Sequence, residues 1–175
     1  MEDAVNRPAP LRIFWFWIGL VIALDQLTKV LAIAYLKHAA PFSVIPGLFN
    51  LCYVENRGAA WGMLAGRQLF LISFSFITLG LLFWKRTSLF GSLRGGSSIF
   101  TLLVAGIFGN LIDRIRVGHV VDFLDFYWKQ SHFPAFNIAD SAICIATFAL
   151  LLAQWFHERQ NAVTPDAQVS EPASH

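Results

Sequence analysis

The chain has 175 residues, of which 56% are hydrophobic and only 14% are charged. Soluble domains are typically about 45–50% apolar and about 25% charged, so the composition excludes an ordinary soluble domain, and the length indicates one membrane domain. The basic residues are scattered and leave a formal net charge of only +2, which excludes the basic stripe that a nucleic-acid partner needs.

Four apolar stretches are long enough to cross the hydrocarbon core of a bilayer, which is about 30 Å thick. In chain order we predict membrane spans at residues 13–36, 68–84, 97–112 and 137–156. The first stretch is too long for the apolar core of a cleavable signal peptide, and no small-residue cleavage site follows it. We therefore expect the first span to be retained.

The remaining short segments differ in composition. Residues 1–12 precede the first span, and residues 85–96 hold basic residues, serines and glycines, which predicts a plain surface loop. Residues 157–175 are polar, include two prolines and lack periodicity, which predicts a disordered tail.

Two longer connectors, residues 37–67 and 113–136, are partly apolar and include stretches of β-type composition. An even number of predicted spans separates them, so they lie on the same side of the membrane. We therefore predict an all-α membrane protein of four transmembrane helices with a small β-containing cap on one face. Lys and Arg are divided almost evenly between the two sides, so charge alone does not give the orientation.

Polar residues interrupt the first predicted span at Asp25, Gln26 and Lys29. A charged side chain near the bilayer centre costs at least about 2.5–3.5 kcal/mol, so such residues are usually paired or functional. Asp25 and Lys29 have i, i+4 spacing and lie on one helical face. The spacing fits either an ion pair that neutralises itself and anchors nearby backbone, or a pair that lines a site.

A second polar group, Asn110, Asp113 and Arg114, lies at the end of the third predicted span. Its i, i+3 and i+4 spacing also places the three side chains on one helical face. An asparagine and an arginine on a shared face suit binding of a substrate's backbone carbonyls or of a lipid phosphate. The alternative is a helix end that hydrogen-bonds its own loop.

Two further aspartates lie near the membrane surface, Asp122 in the second connector and Asp140 at the start of the fourth span. Asn137 is a natural N-cap for that span, and Asp140 then takes the third helical position, where an acidic residue favours the helix dipole. However, Asp140 leads directly into hydrocarbon, and Asp122 is flanked by apolar residues on the same side of the membrane. Two carboxylates in a partly dry site do not both ionise easily, so one can activate water as a base while the other keeps its proton.

Five motifs, in this order, resemble those of the prolipoprotein signal peptidase family, also called signal peptidase II. They are Asp25-x-x-x-Lys29, Asn56-Arg-Gly58-Ala-Ala-Trp, Gly109-Asn110-Leu-Ile-Asp113-Arg114, Gly118-His-Val-Val-Asp122-Phe and Phe133-Pro-Ala-Phe-Asn137-Ile-Ala-Asp140-Ser. The resemblance covers residues 13–156. Each motif is only moderately specific, but all five in order on four spans are not expected by chance.

The resemblance implies an intramembrane aspartic endopeptidase that removes the signal peptide of bacterial prolipoproteins just before a diacylglyceryl-modified cysteine. It implies that Asp122 and Asp140 are the catalytic pair and that no metal or other cofactor is used. The residues it implies in substrate binding or in ordering the site are Asn56, Gly58, Asn110, Asp113, Arg114, Asn137, Asp25 and Lys29.

The resemblance also implies a location and partners. The protein would be a multi-pass monomer of the bacterial inner membrane, in contact with membrane lipid and lipid-modified prolipoproteins but not with nucleic acid. Both termini and the loop at residues 85–96 would be cytoplasmic. The cap and the active site would lie at the extracytoplasmic face.

Three other functions fit parts of the sequence. A small transporter that uses the charges of the first span and the two aspartates as an ion relay should show an internal repeat, and none is visible. A serine peptidase could use Ser141 with His119, although no G-x-S-x-G motif surrounds the serine. A metal site of His119, Asp122 and His132 matches no recognised ligand spacing.

Overall fold

The computed structural model describes residues 11–59 and 62–163. The elements in chain order are α1 (Leu11–Leu36), β1 (Phe42–Ile45), β2 (Phe49–Asn56), α2 (Gln68–Trp84), α3 (Arg86–Phe90), α4 (Gly96–Val117), β3 (Val120–Trp128), β4 (Ser131–His132) and α5 (Ile138–Val163). Most of the predicted N-terminal segment, two residues of the second motif and the end of the predicted tail lie outside the described residues.

Apolar helices occupy all four predicted spans. Three of them contain a stretch long and apolar enough to cross a membrane, namely Phe14–Leu36, Gly96–Val117 and Ile138–Asn161. α2 is also apolar but has 17 residues, which rise only about 26 Å at about 1.5 Å per residue. The helices are therefore confirmed, whereas the count of four spans stays a prediction.

A small antiparallel sheet joins the two connectors, as the sequence predicts. Its strand order is β1-β2-β3-β4, and β2 pairs with β3 so that Val54 lies opposite Asp122. The segment before α5 is added to the same sheet, because Phe136 donates to and accepts from the backbone of Leu124 at 3.1 and 2.9 Å. This pairing brings the start of α5 beside Asp122.

An aromatic cluster fills the core at the other end of the helices. Phe100 of α4 is fully buried and contacts Phe14, Phe83 and Phe90 at ring-centroid distances of 5.3–5.5 Å. Phe90 belongs to α3, so the prediction of a plain surface loop at residues 85–96 is wrong. The segment includes a short helix because Phe90 is apolar and is buried against Phe100 of α4.

Two predicted boundaries are also wrong. α4 continues past residue 112 to Val117, and it ends where Gly118 adopts a left-handed φ of +76°, a conformation that glycine adopts at little cost. α5 continues through residues 157–163, which were predicted as the start of a disordered tail. This extension is about two turns long and includes Glu158, Arg159 and Gln160, which favour helix. The Arg159 guanidinium carbon lies 4.1 Å from the centroid of the Trp155 ring.

Candidate active site

Asp122 and Asp140 are connected through one asparagine. The Asn137 side-chain nitrogen donates to Asp122 Oδ1 at 2.7 Å, and its side-chain oxygen accepts the backbone N–H of Asp140 at 2.9 Å. The backbone N–H of Asn137 donates in return to Asp140 Oδ2 at 3.3 Å. Asn137 is therefore the predicted N-cap of α5, in a reciprocal capping box with Asp140, and it also positions the second carboxyl group.

Asn110 of α4 positions Asp140 from the other side. Its side-chain nitrogen donates to Asp140 Oδ1 at 2.7 Å, and its side-chain oxygen accepts from Lys29 Nζ at 3.1 Å and from Asn137 at 3.2 Å. Because both contacts to the oxygen come from donors, the orientation of the Asn110 amide is defined. The amide therefore presents an N–H, and not an oxygen, to Asp140.

A buried charge cluster of Asp25, Lys29 and Asp113 lies behind Asn110. Lys29 Nζ is 2.8 Å from Asp25 and 2.9 Å from Asp113, and all three side chains are fully buried. The predicted pairing of Asp25 with Lys29 is confirmed. Asp113 is a second partner of the lysine, which the sequence spacing within α4 does not indicate.

The same cluster fixes the elements that carry the site. Asp25 accepts the backbone N–H of Ala139 in α5 at 2.8 Å, and Asp113 accepts that of Val121 in β3 at 3.2 Å. Gln26, whose role the sequence left undefined, donates to Asp25, to Asp113 and to the Gly109 carbonyl at 3.1–3.2 Å. Each accepted backbone N–H belongs to the residue directly before Asp140 or Asp122, so the cluster determines where the two carboxyl groups lie.

Asn56 and Gly58 connect the second motif to Asp122. The Asn56 side chain donates to Asp122 Oδ2 at 3.0 Å, and its oxygen accepts the backbone N–H of Gly58 at 3.0 Å. A Cβ at position 58 would overlap the backbone of Gly62 and Met63. Only glycine therefore fits where this loop folds back on itself.

Arg114 bridges α4 and the same loop. Its guanidinium donates to the Gly58 carbonyl at 3.1 Å, and its Nε is buried without a hydrogen-bond partner among the described residues. Asn56, Arg114 and Asp140 are each partly exposed, whereas Asp122 is 1% exposed. The site therefore opens on the side of these three residues and is closed behind by the charge cluster.

Burial, and to a smaller extent the negative charge of nearby Asp140, raises the pKa of Asp122 to about 7. The hydrogen bonds from Asn56 and Asn137 and the charge of Lys29 act in the opposite direction. Burial dominates because charging a carboxyl group away from water is unfavourable. Asp122 therefore holds a proton in an appreciable fraction of molecules near neutral pH.

The residues of the alternative sites do not meet. The Ser141 hydroxyl donates to the Asn137 carbonyl at 2.9 Å, while His119 lies 3.8 Å from Glu55. His132 contacts Asp125 at 2.8 Å and lies on the short β4 strand. Within residues 11–59 and 62–163 no group of three His, Cys, Asp or Glu side chains could hold a metal ion.

Gly109 of α4 lies close to both α1 and α5, which gives a stability prediction. A Cβ at Gly109 would lie 2.6 Å from Asp25 Oδ2 and 3.0 Å from Ala139 Cβ. Gly109→Ala should therefore destabilise the protein by about 1–3 kcal/mol, the usual cost of overpacking, as measured by thermal unfolding in detergent. Gly80→Ala is the control, because its Cβ meets nothing within 4 Å and alanine favours helix by about 0.5–1 kcal/mol. Equal effects of the two changes would contradict the tight packing at Gly109.

The fold and the site define a class of protein: an apolar helical membrane protein in which two carboxyl groups belong to one hydrogen-bond network. Two solved structures described as bacterial membrane enzymes have the same fold, with TM-scores of 0.72 and 0.71 at 30% and 31% identity. They cover 92% and 85% of this chain, which covers 94% and 96% of theirs.

Sequence comparison then gives the family. Residues 17–156 match the family model of signal peptidase (SPase) II. The lipoprotein signal peptidase of Syntrophotalea carbinolica is 45% identical over 84% of this chain and 93% of its own length, and that of Shewanella loihica is 46% identical over 83% and 88%. The chain belongs to the signal peptidase II family.

Proposed function

We propose that the protein is an intramembrane aspartic endopeptidase that cleaves bacterial prolipoproteins just before the diacylglyceryl-modified cysteine. The relatives named above are lipoprotein signal peptidases, which supports the substrate class. The observation that carries the aspartic mechanism is the Asn137 bridge between Asp122 and Asp140. A single residue holds both carboxyl groups, so they occupy one site and titrate as a pair.

In the proposed mechanism a water molecule lies between the two carboxyl groups. The ionised carboxylate takes a proton from the water as its oxygen attacks the scissile carbonyl carbon, while the protonated carboxyl group donates to the carbonyl oxygen. Collapse of the tetrahedral intermediate breaks the C–N bond, and the proton taken from water passes to the leaving amine. The raised pKa of Asp122 supports a proton held by the pair near neutral pH, which the reaction requires.

The surrounding polar residues would hold the substrate and the carboxyl groups in register. Asn56, Asn110 and Asn137 donate hydrogen bonds to the pair, which limits the number of arrangements it can adopt. The partly exposed guanidinium of Arg114 would bind a substrate carbonyl, and Gly58 keeps the adjoining loop close to the site. Asp25, Lys29 and Asp113 act through Asn110 and the backbone and do not reach the substrate.

The proposed topology has four spans, with α2 as the second. Its 17 residues are at the lower end of the length that a bilayer requires. The sheet and the carboxyl pair would then face the extracytoplasmic side of the inner membrane, with both termini in the cytoplasm. The proposal requires neither a cofactor nor a second copy of the chain.

Purified protein tests this proposal directly. In detergent it should release the signal peptide from a diacylglyceryl-modified prolipoprotein and should leave the same precursor intact when its cysteine is unmodified. Mass spectrometry of the products gives the cleavage position. Cleavage at another bond, or equal cleavage of the unmodified precursor, would contradict the proposed specificity.

The raised pKa of Asp122 predicts a pH dependence. Deprotonation of Asp122 at about pH 7 leaves two carboxylates and no proton donor, so kcat/KM should fall as the pH rises through this region. The measurement is the rate of signal-peptide release at low substrate concentration across the neutral range. His119→Gln and His132→Gln should keep this alkaline limb, because neither histidine contacts the pair. Loss of the limb in either variant would assign it to the histidine instead.

A further inference from the structure

A second site lies at the other end of the helices. An open cavity of about 320 Å³ lies between the first halves of α1 and α4 and the start of α3. Its lining residue Ser98 precedes Asn110 of the carboxylate site by 12 positions on α4, which is about 18 Å along a helix. The cavity is therefore separate from the proposed peptidase site.

The cavity has one cationic side chain, Arg86. Its guanidinium carbon lies 4.6 Å from the centroid of the Phe14 ring and 5.2 Å from that of Phe100. Among the residues that the structure describes, no acidic side chain forms an ion pair with Arg86. Arginine can stack on aromatic rings and still donate N–H groups to a phosphate, so this cation is available to an anion.

The rest of the lining divides into a polar and an apolar part. Ser97 and Ser98 line the same cavity as Arg86 and carry hydroxyl groups, whereas Trp17, Val21 and Leu102 form an apolar wall. Trp17 is 51% exposed, so the wall continues onto the outer surface of the helices. The cavity thus offers a cation and hydroxyl groups next to a strip of surface suited to hydrocarbon.

We propose that this cavity binds one anionic phospholipid. Its phosphate would pair with Arg86 and hydrogen-bond with the two serines, and an acyl chain would lie along Trp17 and Leu102. The charge of the cavity favours an anionic over a zwitterionic headgroup, and basic pockets between transmembrane helices are known to bind such headgroups. A free phosphate ion would leave the apolar wall unused. The proposal goes beyond the peptidase activity and does not depend on it.

Lipid binding to the purified full-length chain tests the proposal. Phosphatidylglycerol and phosphatidylcholine with the same acyl chains are titrated in detergent, and native mass spectrometry counts the bound lipid while thermal unfolding reports stabilisation. One phosphatidylglycerol should bind with saturation and raise the unfolding temperature. Phosphatidylcholine should bind at least about tenfold more weakly, since its choline cation offsets the phosphate charge that would pair with the arginine.

Variants separate this site from general attraction of lipid to a basic surface. Arg86→Gln should weaken phosphatidylglycerol binding at least about tenfold, and Arg86→Lys should restore part of the loss. Arg94→Gln is the matched control, because Arg94 is an exposed residue of the same segment that does not line the cavity. Val21→Phe, which fills the apolar wall and keeps the arginine, should also weaken binding.

Several results would overturn the proposal. Equal binding of the two lipids, equal effects of Arg86→Gln and Arg94→Gln, or the same stabilisation by inorganic phosphate alone would each exclude an anionic-lipid site. Prolipoprotein cleavage by each variant is measured in parallel and should stay close to wild type in detergent without lipid. This activity shows that the variant is folded, so lost binding is not mistaken for lost structure.

Discussion

Replacing either carboxyl group of the pair should nearly abolish peptidase activity. Asp122→Asn and Asp140→Asn keep the size of the side chain but can no longer exchange the proton between water, carbonyl and leaving amine. Each variant should therefore release signal peptide at least about a thousandfold more slowly than the wild-type chain. The double variant should lose little more than either single one, because the two groups act as a unit.

Comparison variants distinguish this mechanism from the alternatives. Ser141→Ala and His119→Ala should retain most activity, because neither side chain contacts the carboxyl pair, and a chelator should have no effect. The Asn variants should still insert and bind substrate, since removing a charge from an apolar setting does not oppose insertion. If either variant keeps more than about a tenth of wild-type turnover, far above what loss of a general acid or base permits, the aspartic assignment fails.

Local rules account for the parts of this site that the sequence predicts. The i, i+4 spacing of Asp25 and Lys29 is sufficient for an ion pair, because a helix places such residues on one face. Asn137 is the N-cap and Asp140 the third helical position, as a polar residue before an apolar run indicates. Counting spans was enough to predict that the two connectors form one β-containing cap, and the structure shows that they share a sheet.

Long-range contacts account for what the sequence does not predict. Nothing in the spacing pairs Lys29 with Asp113, which lies on another helix, although both residues belong to motifs singled out for their position. The register that places Asp122 opposite Val54 includes an irregularity between Leu51 and Val54, so strand alternation alone would misplace the carboxyl group. No pattern in the sequence indicates separately that the Asn137 side chain donates to Asp122.

The second large effect is expected at Lys29. This lysine compensates two buried carboxylates, Asp25 and Asp113, at 2.8 and 2.9 Å. Lys29→Met keeps the apolar stem but leaves both charges without it, so the protein should lose about 3–5 kcal/mol of stability, the usual cost of removing one partner of a buried pair. Thermal unfolding in detergent measures the loss. Lys37→Met is the control, because Lys37 is partly exposed and lies 4.0 Å from Glu55, so it should change stability by less than about 1 kcal/mol.

A second substitution that restores stability tests whether the charge cluster also affects turnover at the carboxyl pair. Adding Asp25→Asn to Lys29→Met removes one uncompensated charge and keeps an acceptor for Ala139, so part of the stability should return. Recovery should be incomplete, because the one cation then left beside Asp113 among the described residues is the partly exposed Arg116 at 3.8 Å. Turnover should remain low even where stability recovers, because Asn110 has lost one of the two donors that orient its amide toward Asp140. If the double variant is as unstable as the sum of the two single changes, Asp25 and Lys29 are not energetic partners; if its turnover returns with its stability, Lys29 has no positioning role.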